Sequence, residues 1–206
     1  TVSGYDVEIS NPLYTEADFT FSGTSTEAKL TNAGTKYMGL AEDQFTNTSS
    51  NFKDVTFKVT DGYQTITQIN TTVTITEHGA EVDYNGNKRT VTGYDVAIAN
   101  PLYKEAYFTF SGNDSVSGTN AGNYDMELTA DDFANTNPNF AKVDFVIVDG
   151  QLVIKPISAT VTITEHGDEV DYDSKAHTVS GYDVDISTGL YKESDFTFSG
   201  TDRARI

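Results

Sequence analysis

The 206-residue chain contains no cysteine and no tryptophan, only two methionines and only four prolines. Without cysteine there are neither disulfide staples nor thiolate metal ligands. Without tryptophan the commonest flat platform for stacking on sugar rings is missing. Basic residues are scarce: 13 Lys plus Arg stand against 31 Asp plus Glu, a formal charge of −18. A surface so poor in cations cannot neutralise a run of phosphates, so nucleic acid is not an expected partner. The same imbalance favours a soluble, self-repelling surface. No stretch of about 18 apolar residues occurs and no charged-then-apolar leader opens the chain, so neither a membrane-spanning helix nor a signal peptide is read in this stretch. What is present suits a folded protein: 37% apolar residues, with 12 Phe and 12 Tyr to fill cores.

The dominant feature is repetition. "TVSGYDVEI" at residues 1–9 returns as "TVTGYDVAI" at 90–98 and "TVSGYDVDI" at 178–186. "TNAG" at 31–34 answers 119–122, and "VTITEHG" at 73–79 returns at 161–167. The period is therefore 88 to 89 residues, with one extra residue in the first copy between Gly23 and Asn32. A length change there marks a loop, because an insertion inside a paired strand would turn its side chains to the wrong face.

Within the unit the apolar period is two. Tyr94, Val96 and Ile98 alternate with Asp95 and Ala97, Phe108 and Phe110 flank Thr109, and Val55, Phe57 and Val59 alternate with Thr56 and Lys58. These patterns predict half-buried strands. Asn85-Gly86 and the Asp-Gly pairs 61–62 and 149–150 carry hairpin chemistry. "LAEDQF" at 40–45 and "LTADDF" at 128–133 suggest one helical turn between two strands. Keeping the arms of the Asn85-Gly86 turn together starts a unit near Thr71 and Ser158. Residues 71–157 are then a complete repeat, 1–70 an incomplete repeat lacking its first strands, and 158–206 one lacking its last. The linker is a few residues long, contains Pro156 and should join neighbours stiffly. The expected class is all-β: tandem sandwich-like modules, immunoglobulin-like by preference, with a β-grasp-like module as the alternative because of the single helical turn. Tyr94, Val96, Ile98, Phe108, Phe110, Val143, Phe145 and Ile154 should fill the core of the complete copy.

Candidate chemistry is sparse. His78 and His166 share one repeat position at a strand end, too few groups for a metal site. No Ser–His–Asp set recurs, since the Ser of "VSGYD" becomes Thr92 in the middle copy. No catalytic residue, cofactor or enzymatic activity is expected. Acidic groups such as Asp131-Asp132, Glu81 with Asp83, and Glu169 with Asp171 have the oxygen ligands Ca²⁺ takes, and read equally as solvated strand and cap positions. An intramolecular Lys–Asn link would need one Lys at a fixed core position in each unit. Here Lys36 aligns with Tyr124, Lys58 with Val146 and Lys142 with Asp54, so no such link is expected. Tyr14, Tyr103 and Tyr191 in "NPLY" or "TGLY", and Tyr107 after them, are the candidate contacts for a sugar or protein ligand, or else close the turn before the "FTF" strand. Asn47, Asn70 and Asn113 begin Asn-x-Ser/Thr triplets.

"VDYNGNKRTVTGYDV", followed by "TNAGNYDMEL" and "VIVDGQLVIKP", resembles the tandem modules of bacterial surface proteins called YDG or MBG-type repeats, grouped with immunoglobulin-like adhesin repeats. The matching positions are Tyr84-Asn85-Gly86 or Tyr172-Asp173-Ser174, Ala121-Gly122-Asn123-Tyr124, and Asp149-Gly150 with Leu152, Ile154 and Pro156. The resemblance implies a non-enzymatic, extracellular array on the bacterial surface or secreted, acting as a stalk that projects a binding region, or itself adhering to a glycan or protein through its loops. Neighbouring repeats are the first expected partners. The open core edge of residues 1–70 and the spare opening hairpin at 158–177 add strand exchange between molecules as a second expectation.

Overall fold

The structure is a computed structural model that describes residues 1–24 and 26–206. The extra residue between Gly23 and Asn32 falls on a span containing Ser25, which lies outside the described residues. Strands take 41% of the chain, and the helical elements described are five single turns of 3-10 helix, so the protein is all-β.

The complete copy sets the pattern. Its strands are β1 (Ile69–Glu77), β2 (Ala80–Asp83), β3 (Arg89–Thr92), β4 (Tyr94–Ile98), β5 (Phe108–Phe110), β6 (Ser115–Gly118), β7 (Gly122–Asp125), β8 (Phe133–Asn135), β9 (Phe140–Val148) and β10 (Gln151–Lys155). β1 lies between β4 and β9, β10 between β7 and β2, β5 pairs with β8, and β6 with β3. β10 and β2 are parallel, with Leu152 opposite Ala80 and Ile154 opposite Val82. The Ile69 N–H donates to the Asn139 carbonyl at 3.1 Å, where β1 and β9 both begin. Those two strands therefore run the same way.

Three pairs of these strands are single long segments bent at a glycine: β1 into β2 at Gly79, β3 into β4 at Gly93, and β9 into β10 at Gly150. This corrects the expected hairpins. Asp149-Gly150 joins β9 to β10, which take different partners, and Asn85-Gly86 likewise joins β2 to β3. Both connections carry the chain from one sheet to another. Gly150 serves here through close approach, not through φ: a Cβ on it would lie 2.3 Å from the His78 carbonyl oxygen and 2.7 Å from that of Glu77. The short helical turns expected at 40–45 and 128–133 are present as Glu42–Gln44 and Ala130–Asp132. Further single turns precede each "FTF" segment, at Glu16–Asp18, Glu105–Tyr107 and Glu193–Asp195.

Two compact units divide the chain. The first comprises Thr1–Thr74, Ala97–Ser111 and Ala130–Val146. It holds the pairs Phe19–Phe21 with Phe45–Asn47 and Gly34–Tyr37 with Tyr63–Ile66, together with β5 and β8. Aromatic rings fill it: Phe108 packs edge-on against Phe133 and Phe145 at 5.9 and 5.4 Å, and Phe45 lies 5.7 Å from Phe57. The second unit comprises Ile75–Val96, Gly112–Thr129 and Ile147–Ile206. It holds β2, β3, β6, β7 and β10, and the antiparallel pairs Val161–Glu165 with Tyr182–Ile186 and Thr178–Ser180 with Arg203–Arg205.

Burial in the complete copy differs from the expected core. Val73, Ile75, Tyr103, Leu152 and Ile154 are the large side chains fully withdrawn from solvent, with Met126, Leu128, Phe133 and Phe140 close behind. Of the eight residues expected there, Ile154 is buried and the other seven are half-buried. The bend explains much of the difference. The inward face of β1, which alternation in "TVTIT" marks only weakly, becomes the most buried surface because β1 has a strand on either side.

The flanking copies show what β1 contributes. "GYDV" forms strand β4 beside β1 in the middle copy and Tyr182–Ile186 beside Val161–Glu165 in the third. In the first copy, where no segment of residues 1–70 corresponds to β1, the same sequence at 4–7 has no strand pairing, and neither does 53–60, the counterpart of β9.

Candidate functional site

Each "NPLY" or "TGLY" loop is built by its first residue. The side-chain oxygens of Asn11, Asn100 and Thr188 accept the N–H of Leu13, Leu102 and Leu190, and their carbonyls accept the N–H of Tyr14, Tyr103 and Tyr191. These turns point the tyrosines inward. The Tyr103 hydroxyl donates to the Tyr107 carbonyl at 2.9 Å and lies 3.0 Å from Asn135 Oδ1. Its ring stacks on Phe108 and meets Phe140 edge-on at 4.9 Å. Burial pushes its phenol above the usual range. Tyr14 repeats the arrangement against Asp18 and Asn47, and Tyr191 against Asp195. Tyr103 is 1% exposed and Tyr14 8%, while Tyr107 and Tyr191 are half-buried. The outward residue of the loop is the leucine before the tyrosine: Leu13 is 80% exposed and Leu102 67%.

The strand-end histidines form one constellation in two copies. His78 places Nδ1 2.9 Å from the Thr92 carbonyl and Nε2 3.4 Å from Asp95. His166 repeats this with Ser180 at 3.1 Å and Asp183 at 3.3 Å. Both ring nitrogens face acceptors, so the doubly protonated form is favoured. The pKa of His78 rises chiefly through the Thr92 carbonyl and that of His166 chiefly through Asp183. His177 pairs with Asp173 instead, at 2.8 Å. Among the acidic groups, Glu81 is paired with Lys155 across the β2–β10 ladder, which holds its carboxyl below the usual range. Among the described residues, no three His, Asp or Glu side chains are grouped so that they could hold a metal ion.

Sequence reasoning missed Glu77. It ends β1 with 5% exposure, and its two oxygens accept the N–H of Leu128 and of Gly150, both at 2.8 Å. A glutamate after an alternating threonine strand reads as solvent-facing, and only the bend that brings Gly150 over the strand end buries it. Glu165, its counterpart in the third copy, is exposed.

One concavity lies in the first copy. A groove of about 380 Å³ runs between residues 5–11 and 54–60, lined by Val7, Ile9, Val55 and Phe57 and floored by Phe19 and Leu40. These are the counterparts of β4, β9 and the core beneath them, so the groove occupies the position that β1 fills in the complete copy. Comparisons of the chain with protein-family models, with curated proteins and with solved structures find no match.

Proposed function

We propose that the chain is a non-enzymatic structural segment of a bacterial cell-surface adhesin or stalk, whose repeats set the length and stiffness of an extracellular spacer. The joint between the first and middle copies carries this reading. Asn139 of the middle copy accepts the N–H of Ala33 at 2.7 Å and donates to Asn32 Oδ1 at 3.2 Å, while Gln68 Nε2 donates to the Pro138 carbonyl at 2.8 Å. Neighbouring copies are thus tied by side chains as well as by the linker, which is what a stiff spacer requires. A second joint ties the middle and third copies differently: Leu190 approaches Gly86, with its Cδ2 2.9 Å from where a Cβ would stand. The acidity keeps parallel spacers apart. Each module is taken as an immunoglobulin-like sandwich; a β-grasp module would carry a full helix on its sheet, and the helices described here are single turns.

The test exploits the absence of cysteine. Nitroxide labels on cysteines introduced at the exposed, equivalent Thr20 and Thr109 should give a narrow distance distribution by pulsed electron resonance. Asn139→Ala should broaden it. A broad distribution in the unaltered joint would sink the spacer reading.

A further inference from the structure

We propose that the Asn85-Gly86 turn is a self-modification site, where the asparagine side chain is converted to aspartate and isoaspartate through attack by the adjoining main chain. The chemistry goes beyond the spacer reading and stands without it.

Asn85 is the one asparagine of the chain that a glycine follows. The turn joins β2 to β3, and residues 85–88 are all exposed. The nucleophile is the Gly86 nitrogen. Its N–H has no hydrogen-bond partner among the described residues, and glycine has no Cβ to screen it or to restrict its approach. The electrophile is the side-chain carbonyl carbon of Asn85. Its Oδ1 accepts the Asn87 N–H at 3.1 Å, which polarises the carbonyl and steadies the negative charge the oxygen takes up on attack. The Nδ2 amide, which must leave, is held by no described residue.

Attack forms a bond from Gly86 N to Asn85 Cγ and breaks the bond from Cγ to Nδ2. The amide departs as ammonia, carrying the proton that Gly86 N gives up, and a five-membered succinimide ring remains. Water then opens the ring. Addition at Cγ breaks the new bond and leaves aspartate. Addition at the main-chain carbonyl carbon of Asn85 breaks the original peptide bond and leaves isoaspartate, whose main chain runs through Cγ. One water enters and one ammonia leaves overall, and nothing is oxidised or reduced.

The related turns are held differently. Aspartate before glycine can close the same ring with loss of water, and Asp61-Gly62 and Asp149-Gly150 are such pairs. There the Gly150 N–H is spent on Glu77 Oε2 at 2.8 Å, and the Asp61 carboxylate on the N–H groups of Gly39 and Leu40, each at 3.0 Å. The third copy shows that the aspartate product fits the turn. Asp173 takes the place of Asn85, and its Oδ1 accepts the Lys175 N–H at 3.0 Å, the same contact across two residues. Isoaspartate differs, because it lengthens the main chain by one carbon beside Gly86. Leu190 of the third copy packs there, its Cδ2 2.9 Å from where a Gly86 Cβ would stand. The modification therefore displaces a contact between copies and sets a new negative charge beside it.

The whole chain would be kept for weeks at neutral pH, either folded or in urea. Its peptides would then be mapped by mass spectrometry and by methyl transfer from an isoaspartate-specific methyltransferase. In the folded chain Asn85 should gain the mass of an amide-to-acid exchange and accept methyl groups, at a rate within an order of magnitude of that in urea. Residues 149–150 should accept methyl groups after urea alone. An Asn85 that survives in the folded chain while converting in urea overturns the proposal, as does isoaspartate forming at 149–150 in the folded chain as fast as at 85. Asn85→Gln, whose ring would be six-membered and slow to close, should lose the signal at this position, and its persistence there would equally overturn the assignment. The comparison of folded and unfolded wild-type chain needs no variant, so it stands even if the Asn85→Gln chain folds poorly.

Discussion

At the scale of single residues, the copies act as controls for one another. Among the described residues, two that are not glycine have φ in the left-handed region, Glu127 at 63° and Ser174 at 62°. Each aligns with a glycine of another copy in the same conformation, Gly39 at 82° and Gly86 at 76°. A side chain there crowds the backbone, so Glu127→Gly and Ser174→Gly should each stabilise the protein by about 0.5–1 kcal/mol, after allowing for the freedom glycine adds to the unfolded chain. Urea midpoints would check this, and a loss of stability in both would contradict it. The histidines supply the pH dependence. His78 and His166 have folded pKa values raised above the unfolded value, 6.5, so their contribution is fully present below about pH 6.5 and is lost as pH rises through the folded pKa. The melting temperature should fall over that interval, and Asp95→Asn with Asp183→Asn should flatten the slope. Aspartates held low by hydrogen bonds, such as Asp18 beside Thr15, act with the opposite sign in acid, where their contribution is lost as pH falls. The glycine-for-side-chain exchanges were legible by aligning the copies. The histidine contacts were not, because they depend on which carbonyl the bend at Gly93 presents.

At the scale of strands, Glu77 decides how well the bent segments hold together. Glu77→Ala would leave the N–H groups of Leu128 and Gly150 without their acceptor and should cost about 2–4 kcal/mol. Glu165→Ala, the same substitution on an exposed counterpart, should stay within about 0.5 kcal/mol. Equal effects in chemical denaturation would show that the burial of Glu77 has no energetic weight. The strands of the complete copy were readable from their period of two, and the short turns at 42–44 and 130–132 from their acidic "ADD" and "AEDQ" context; Val55, Phe57 and Val59 carry the same period, yet 53–60 has no strand pairing. Partners were not readable. Asn-Gly and Asp-Gly satisfy the same local geometry whether the chain folds back on itself or passes to another sheet, so the residues that suggested hairpins at 85–86 and 149–150 could not distinguish the two. Tyr103 shows the same limit at a candidate ligand contact: its place in the loop was visible, while its inward direction follows from Asn100, Asn135 and the ring of Phe140.

At the scale of the whole chain, three copies that share long stretches of sequence make pairing between wrong neighbours a standing hazard of folding. The parallel course of β1 and β9 has a mechanical consequence. When a module is drawn apart by its ends, β1 is pulled at its start and the β9–β10 segment at its finish, in opposite directions along neighbouring strands. The load then falls in shear on all their hydrogen bonds together, whereas an antiparallel pair pulled from one end opens bond by bond. Stretching a chain of complete copies by atomic force microscopy should therefore give high, evenly spaced rupture peaks, lowered by Val73→Ala in the loaded strand. A chain of such modules surrenders length only under strong tension, and releases it one module at a time when it finally yields.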